Sequence, residues 1–266
     1  LYDGSIQGVG ESSEDGVIKD QHGKIVGRQK NDKIIYSVTA ADTEVASIKI
    51  NTIRVPNGKK FQLFLSDGTE IYINSGSVIK FPSAIIPGKL RQVELEGEAF
   101  FKVAKNREDA FVVRTKGIST EVFGTQFNVS SYGGDSFAKV VLLEGSVGVF
   151  SGKDRFNEKE DHYLKPNQMA VYQNDIEGID VREVTAEDYI AWVDGALLFK
   201  NESFENIMKK LERHYNIEID VAYEDIKNEK FTGYFDIESI ENVLNTFKEN
   251  TPFSFQLNDN KLTINP

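Results

Sequence analysis

Strict alternation of apolar and polar residues is the feature that most limits what this chain can fold into. Between residues 92 and 103, apolar residues or glycine occupy the odd positions, and mostly polar residues, three of them glutamate, occupy the even ones. A period of two is typical of a β-strand with one buried face. Similar short patterns, separated by Gly, Asp-Gly and Pro-Gly turns, continue from residue 51 to about residue 180. The sequence therefore predicts a mainly β protein, with a sandwich, barrel or coil of strands over 51–180.

The segment before this β region also carries strand patterns. Short apolar runs at 16–18, 24–26 and 33–38 are separated by Asp-Gly and His-Gly turn signals. We therefore interpret residues 1–50 as a lead-in β segment. Within the main region, the polar stretch 153–161 is expected to be an exposed loop.

The pattern becomes helical near residue 181. Thr185 followed by Asp188 is a capping pattern that begins a short helix through Trp192, and Gly195 is suited to end it. This predicts a linker helix over 181–195 and places a domain boundary there.

Residues 196–266 are predicted to form a small α+β domain. Ser203 caps a helix with apolar residues at i, i+3, i+4, i+7 and i+11, and Ser239 begins a second helix with the same repeat through i+7. Strands are predicted around these helices, at 197–199, 217–222, 231–235, 253–257 and 261–264. The order is β-α-β-β-α-β-β, and we expect the two helices to lie on one face of a sheet.

The charge balance limits the choice of partners. The 266 residues include 42 acidic and 31 basic side chains, giving a net charge of −11. Nucleic acids and anionic membranes attract clustered Lys and Arg, so we expect neither as a partner.

Every apolar run is shorter than the roughly 18 residues needed to span a bilayer. The chain begins at Leu1 without a signal-peptide pattern, so we expect a processed or truncated product whose targeting or membrane segment lies upstream.

The sequence lacks the usual catalytic and cofactor signatures. It has no cysteine, and its three histidines, His22, His162 and His214, lie in separate segments. No serine lies in a Gly-x-Ser-x-Gly elbow, and no Gly-rich phosphate-binding loop is present. We therefore expect a non-enzymatic protein with no metal site and no cofactor.

Three glutamates on one predicted strand can be interpreted in two ways, as a catalytic carboxylate pair or as a solvated strand face. Glu94, Glu96 and Glu98 would project from one face of a strand, with neighbours about 7 Å apart, which falls in the range of paired glycosidase carboxylates. A solvated face of a half-buried sheet explains the same pattern, and we favour that explanation.

Several motifs in the β region occur in an order that is known from one family. They are LSDGTEIYINSGS (65–77), RQVELEGEAFFKVAKN (91–106), FVVRT (111–115), EVFGTQFNV (121–129), LLEGSV (142–147) and LKPNQ (164–168). Together they resemble the periplasmic domain of FecR-type anti-sigma regulators. In the tail, AWVDGALLFKNESFENIMKKLERHYNIEI (191–219) and KFTGYF (230–235) resemble the domain commonly fused behind it, which is similar to the short signalling domain of secretins and TonB receptors.

The resemblance implies a specific function. The composition is compatible with that function but does not indicate it. It implies that the chain lies in the periplasm and receives a signal from the N-terminal signalling domain of a TonB-dependent outer-membrane transducer. A cytoplasmic segment upstream would bind an extracytoplasmic-function sigma factor, and a single membrane helix would connect the two parts. The alternative is a periplasmic β protein that binds or processes carbohydrate, which an exposed aromatic platform or a carboxylate pair in a cleft would favour.

Two candidate sites follow. The Gly124–Thr125 bond is a hypothetical self-cleavage site, because a threonine hydroxyl can attack the preceding carbonyl carbon when the peptide is strained.

The second candidate is a partner-binding site, because a free sheet edge in the tail domain can accept a strand from another protein. The candidate partner-binding residues lie on the strands at 231–235 and 253–257, and they are Phe231, Tyr234, Phe235, Phe253 and Phe255. The alternative for aromatic residues of this domain, including Trp192, Phe204 and Phe247, is that they fill its core.

Overall fold

A computed structural model describes most of the chain. The described residues are 4–5, 16–19, 25–30, 33–36, 48–152, 156–157, 161–173, 176–236 and 238–266. The chain divides into two compact units: unit 1 comprises residues 1–55 and 60–187, and unit 2 comprises residues 56–59 and 188–266. Parts of the expected lead-in segment and of the loop predicted at 153–161 lie outside the described residues.

Unit 1 is built from β-strands. In chain order they are β1 (Gly4–Ser5), β2 (Gly16–Lys19), β3 (Ile25–Lys30), β4 (Lys33–Tyr36), β5 (Ile50–Arg54), β6 (Phe61–Phe64), β7 (Glu70–Ile73), β8 (Val78–Pro82), β9 (Arg91–Lys102), β10 (Phe111–Arg114), β11 (Ser119–Val122), β12 (Gln126–Ser131), β13 (Phe137–Glu144), β14 (Val147–Phe150), β15 (His162–Leu164), β16 (Gln168–Gln173) and β17 (Ile176–Glu183). The mainly β class predicted from the alternation is confirmed.

The strands form a sandwich of two layers that share β9. One layer has the order β1-β5-β8-β9-β10-β11-β14-β15, and the other has the order β2-β3-β4-β6-β7-β9-β12-β13-β16-β17. Side chains from both layers, among them Val93, Phe101, Phe111 and Phe127, meet in one apolar core. Burying these inward faces is the main source of stability for such a fold.

Gly97 marks the point where β9 passes from one layer to the other. Residues up to Glu96 pair with β8, whereas residues from Gly97 onward pair with β12. Gly97 has a φ of 120°, and a Cβ at this position would lie 2.6 Å from the Ser77 Cα. Only glycine provides this backbone angle and this close approach without strain.

A second glycine separates two strands within the motif at 121–129. β11 ends at Val122 and β12 begins at Gln126, and between them Gly124 has a φ of 138°, which residues with a side chain rarely adopt. The chain therefore turns at Gly124, and β11 and β12 belong to different layers of the sandwich.

Unit 2 has the predicted element order. It contains β18 (Leu197–Ser203), α1 (Phe204–Tyr215), β19 (Glu218–Val221), β20 (Lys230–Phe235), α2 (Ile240–Lys248), β21 (Ser254–Asn258) and β22 (Lys261–Asn265). The helix faces predicted from the apolar spacing are buried, including Phe204, Leu211, Leu244 and Phe247. These residues form the core of unit 2, as the core alternative for Phe204 and Phe247 requires.

Two expectations about this region were wrong. The strands do not form one sheet: β18 pairs with β20, while β22 joins β19 and β21 in a separate three-stranded sheet. The helix expected over 181–195 is instead the end of β17 followed by two 3₁₀ turns, Ala186–Tyr189 and Ala191–Asp194. Gly195 does end the second turn, with a left-handed φ of 103°.

Among the described residues, no helix has the length and apolar character that crossing a membrane requires.

Candidate interaction surface

β20 forms one edge of the two-stranded sheet in unit 2. It pairs antiparallel with β18, from Leu197 opposite Phe235 to Ser203 opposite Lys230. Within the described part of the chain, no strand pairs with its other edge. An unpaired edge presents backbone N–H and C=O groups that can hydrogen-bond to an added strand.

The side chains of β20 alternate between the core and solvent. Phe231 and Phe235 are buried, whereas Thr232 and Tyr234 are exposed. Tyr234 is 63% exposed, which is unusual for a large aromatic ring. An exposed tyrosine beside an open strand edge is the kind of residue that anchors protein interfaces.

A β-bulge fixes the partner strand of β20. The register shifts between Phe199 and Glu202, and Asn201 has a left-handed φ of 48°. The Asn201 N–H donates to the Thr232 hydroxyl at 2.9 Å, which ties the bulge to β20. The bulge therefore gives the edge strand a defined shape.

The structure does not bring all five predicted partner-binding residues to one surface. Phe231 and Phe253 pack around Phe204, with ring centroids 5.6 and 5.5 Å away. Phe235 packs on Phe247 at 5.5 Å. Phe255, on β21, is half-buried, with the Lys248 ammonium 5.7 Å from its ring centroid.

Phe231, Phe235 and Phe253 are thus core residues, and of the five only Tyr234 is fully open to a partner. The sequence could indicate that β20 is a strand. It could not indicate which face of the strand the core would cover.

Charged groups near β18 form ion pairs inside unit 2. Lys210 on α1 donates to Glu202 at 2.7 Å, and its ammonium lies 5.8 Å from the centre of the Phe199 ring. Lys200 pairs with Asp188. These ion pairs connect β18 to α1 and to the 3₁₀ turn at 186–189. β18 is also an edge strand, since the sheet has two strands within the described residues.

Tyr215 links the end of α1 to the beginning of α2. Its hydroxyl donates to the Glu238 carbonyl at 2.8 Å. Burial, followed by the carboxylates of Glu238 and Glu241, raises the pKa of Tyr215 from 10.0 to about 12. The phenol therefore stays protonated and continues to donate this hydrogen bond at any physiological pH.

The predicted cleavage site lies at the turn between β11 and β12. Thr125 is 4% exposed, and its hydroxyl donates to the Ser146 carbonyl at 2.9 Å. In the hypothetical reaction, the Thr125 Oγ1 bonds to the Gly124 carbonyl carbon, the C–N bond breaks and the Thr125 amine is released. Water then hydrolyses the ester, forming the Gly124 carboxylate and restoring the hydroxyl. A backbone carbonyl is a weak base, so the present hydrogen bond orients the hydroxyl without activating it.

The three glutamates of β9 have different surroundings. Glu94 pairs with Lys80 at 3.3 Å, and Glu96 is exposed. Glu98 follows the Gly97 bend and accepts hydrogen bonds from the side-chain amides of Asn74 and Asn128, at 2.8 and 3.0 Å. The residues described here contain no group of three His, Cys, Asp or Glu side chains arranged to hold a metal.

The fold defines a two-part protein: a β-sandwich followed by an α+β unit with an open strand edge. Comparison with known families agrees with this division. The FecR protein family matches residues 51–148, and the FecR C-terminal family matches residues 196–264.

Two crystal structures, each of a candidate anti-sigma factor from Parabacteroides distasonis, are similar to this chain. The one at 1.65 Å resolution is 30% identical with a TM-score of 0.73, and the match covers 80% of this chain and 97% of the other. The one at 2.50 Å is 29% identical with a TM-score of 0.75, covering 82% and 99%. Among curated proteins, none matches in sequence. The chain belongs to the FecR family of anti-sigma regulators.

Proposed function

We propose that this chain is the periplasmic, signal-receiving part of a transmembrane anti-sigma factor. The observation that carries the proposal is the order of the two family matches, which fall on unit 1 and unit 2 respectively. The net charge of −11 is consistent with a protein partner, since nucleic acids and anionic membranes prefer basic surfaces.

In this proposal the signal comes from a TonB-dependent outer-membrane transducer. Its N-terminal signalling domain adds a strand to the open edge of β20, and Tyr234 packs against the added strand. Main-chain hydrogen bonds supply affinity in this mode of binding, and exposed side chains beside the edge supply selectivity. The bulge at Asn201 keeps the edge in a defined conformation for docking.

The mechanism we propose is binding and relay without catalysis. Binding at unit 2 changes the state of the membrane protein, and the change controls an extracytoplasmic-function sigma factor. Sigma binding is assigned to a segment outside the 266 residues. The buried aromatic core of unit 2, centred on Phe204 and Phe247, supports a rigid docking surface.

A reporter experiment tests the proposal in cells. The full-length protein carrying Tyr234→Ala is placed in a strain with a sigma-dependent reporter, and the transducer is activated by its substrate. We expect induction to fall strongly, because interface aromatics typically contribute about 2 kcal/mol or more. Tyr163→Ala is the matched control, since Tyr163 is 50% exposed but lies in unit 1.

One outcome would contradict the anti-sigma assignment, and another would contradict the docking surface. If deletion of the whole chain leaves sigma activity unchanged with and without transducer substrate, the anti-sigma assignment fails. If deletion matters but Tyr234→Ala behaves like the control, the docking surface lies away from Tyr234.

A further inference from the structure

The passage of β9 between the two layers opens a cleft in unit 1. On one edge of β9, β10 pairs as far as Glu94, and β12 begins pairing at Gly97. Leu95 and Glu96 lie between these pairings, and within the described residues no strand covers that edge of β9 at the two positions. β10 and β12 must separate here because they belong to different layers.

The cleft has the size of a ligand site. Its volume is about 640 Å³, within the range of pockets that hold small molecules or a few residues of a peptide. Its walls come from three places: β8 with β9, the end of β10 with the following turn, and the turn between β12 and β13. Leu95 and Ala138 contribute buried apolar surface to the lining.

Charges of both signs line the cleft. Three cationic and three carboxylate side chains contribute, namely Lys80, Arg114, Lys116, Glu94, Glu96 and Asp135. They are arranged by wall: β9 contributes two carboxylates, whereas the end of β10 and its turn contribute two cations. Lys80 already pairs with Glu94 at 3.3 Å. Glu96 and Lys116 are both exposed, and they place opposite charges on different walls of the cleft.

We propose that this cleft binds a short peptide segment that carries one basic and one acidic side chain. A purely anionic ligand would face the β9 carboxylates, and a purely cationic one would face Arg114 and Lys116. A segment with both charges can pair with both walls, while its aliphatic stems contact the apolar lining. The cleft belongs to unit 1 and the proposed docking edge on β20 to unit 2, so this inference goes beyond the function proposed above.

Calorimetric titration of the whole chain tests the proposal. The probe is the blocked peptide acetyl-Ala-Lys-Ala-Glu-Ala-amide, and its counterpart has Gln in place of both Lys and Glu. We expect the charged peptide to bind and the neutral one to bind measurably more weakly. Glu96→Gln and Lys116→Gln should each weaken binding by about threefold to fivefold, the usual effect of one exposed ion pair.

Matched controls separate the cleft from general surface charge. Glu108→Gln and Lys89→Gln alter exposed residues of unit 1 outside the cleft and should leave the affinity unchanged. Equal affinity for both peptides, no binding of the charged peptide at millimolar concentration, or equal affinity in cleft and control variants would overturn the proposal. Binding of maltohexaose with loss in Glu96→Gln, while the peptide fails to bind, would overturn it in favour of a carbohydrate site. None of these outcomes depends on unit 2, so this experiment does not test the docking proposal for β20.

Discussion

Arg91 and Asp67 form an ion pair inside unit 1, with 3.0 Å between Nη1 and Oδ2. The Arg91 side chain is only 2% exposed. Three more of its N–H groups donate to the Ala104 and Asp109 carbonyls, and its guanidinium lies 5.6 Å from the centre of the Phe111 ring. This one side chain therefore connects the turn at Asp67, the beginning of β9 and the loop before β10.

Breaking this pair should destabilise unit 1. Asp67→Asn keeps the shape of the side chain but leaves Arg91 without its counterion, and we expect a loss of about 3 kcal/mol in the free energy of unfolding. Glu94→Gln is the control, because it breaks the exposed pair with Lys80 and should cost less than about 1 kcal/mol. Denaturant unfolding measures both variants. Equal, small losses would show that Arg91 is held by the two carbonyls alone.

Gly97 should not tolerate a side chain. Gly97→Ala places a Cβ 2.6 Å from the Ser77 Cα and forces alanine into a φ of 120°. Ser77 cannot withdraw easily, since its hydroxyl is hydrogen-bonded to the Glu98 N–H and carbonyl. We expect a loss of about 3 kcal/mol by denaturant unfolding.

Gly134→Ala is the control for this substitution. A Cβ at Gly134 would meet no atom within 4 Å, so its effect should stay within about 0.5 kcal/mol. If the two variants are equally stable, β9 can change layers without the glycine bend.

Tyr215 should make the stability of unit 2 depend on pH in the alkaline range. Its pKa is raised from 10.0 to about 12 in the folded protein, so the folded state keeps the proton longer than the unfolded state. The stabilisation is complete below pH 10 and is lost as the pH rises toward 12. Denaturant unfolding across this range should show a steeper loss in the wild type than in Tyr215→Phe. The variant should also lose about 1 kcal/mol at neutral pH, with its hydrogen bond to Glu238. Parallel pH profiles would contradict the assignment.

The self-cleavage hypothesis makes a prediction about Thr125. Prolonged incubation of the wild type should produce two fragments that separate on a denaturing gel, and Thr125→Ala should abolish them. Thr69→Ala is the control, because Thr69 also follows a glycine but its hydroxyl donates to Asp67. Mass spectrometry should place the new N-terminus at Thr125. Identical fragments from wild type and Thr125→Ala would end the hypothesis.

Local patterns in the sequence predicted much of the fold. The apolar repeat of α1 predicted the buried residues Phe204, Ile207, Met208 and Leu211 because helical periodicity depends only on near neighbours. Strand positions followed from alternation in the same way. Alternation alone does not show where one glycine divides a run of strand residues, as Gly124 does between β11 and β12.

Features that depend on distant segments were missed. Nothing near Arg91 in the sequence indicates that Asp67, Ala104 and Asp109 would surround it. The charged cleft likewise combines three separate parts of the chain, so no local motif marks it. The division of unit 2 into two sheets depends on which strands pair, and alternation does not specify pairing.

Calorimetric titration of this chain with the purified N-terminal signalling domain of a TonB-dependent transducer from the same organism tests the proposed function most directly. We expect one-to-one binding at micromolar affinity or tighter, weakened by about thirtyfold in Tyr234→Ala and unchanged in Tyr163→Ala. Absence of heat and of co-elution with the wild-type chain would contradict the claim that this chain receives the transducer's signal.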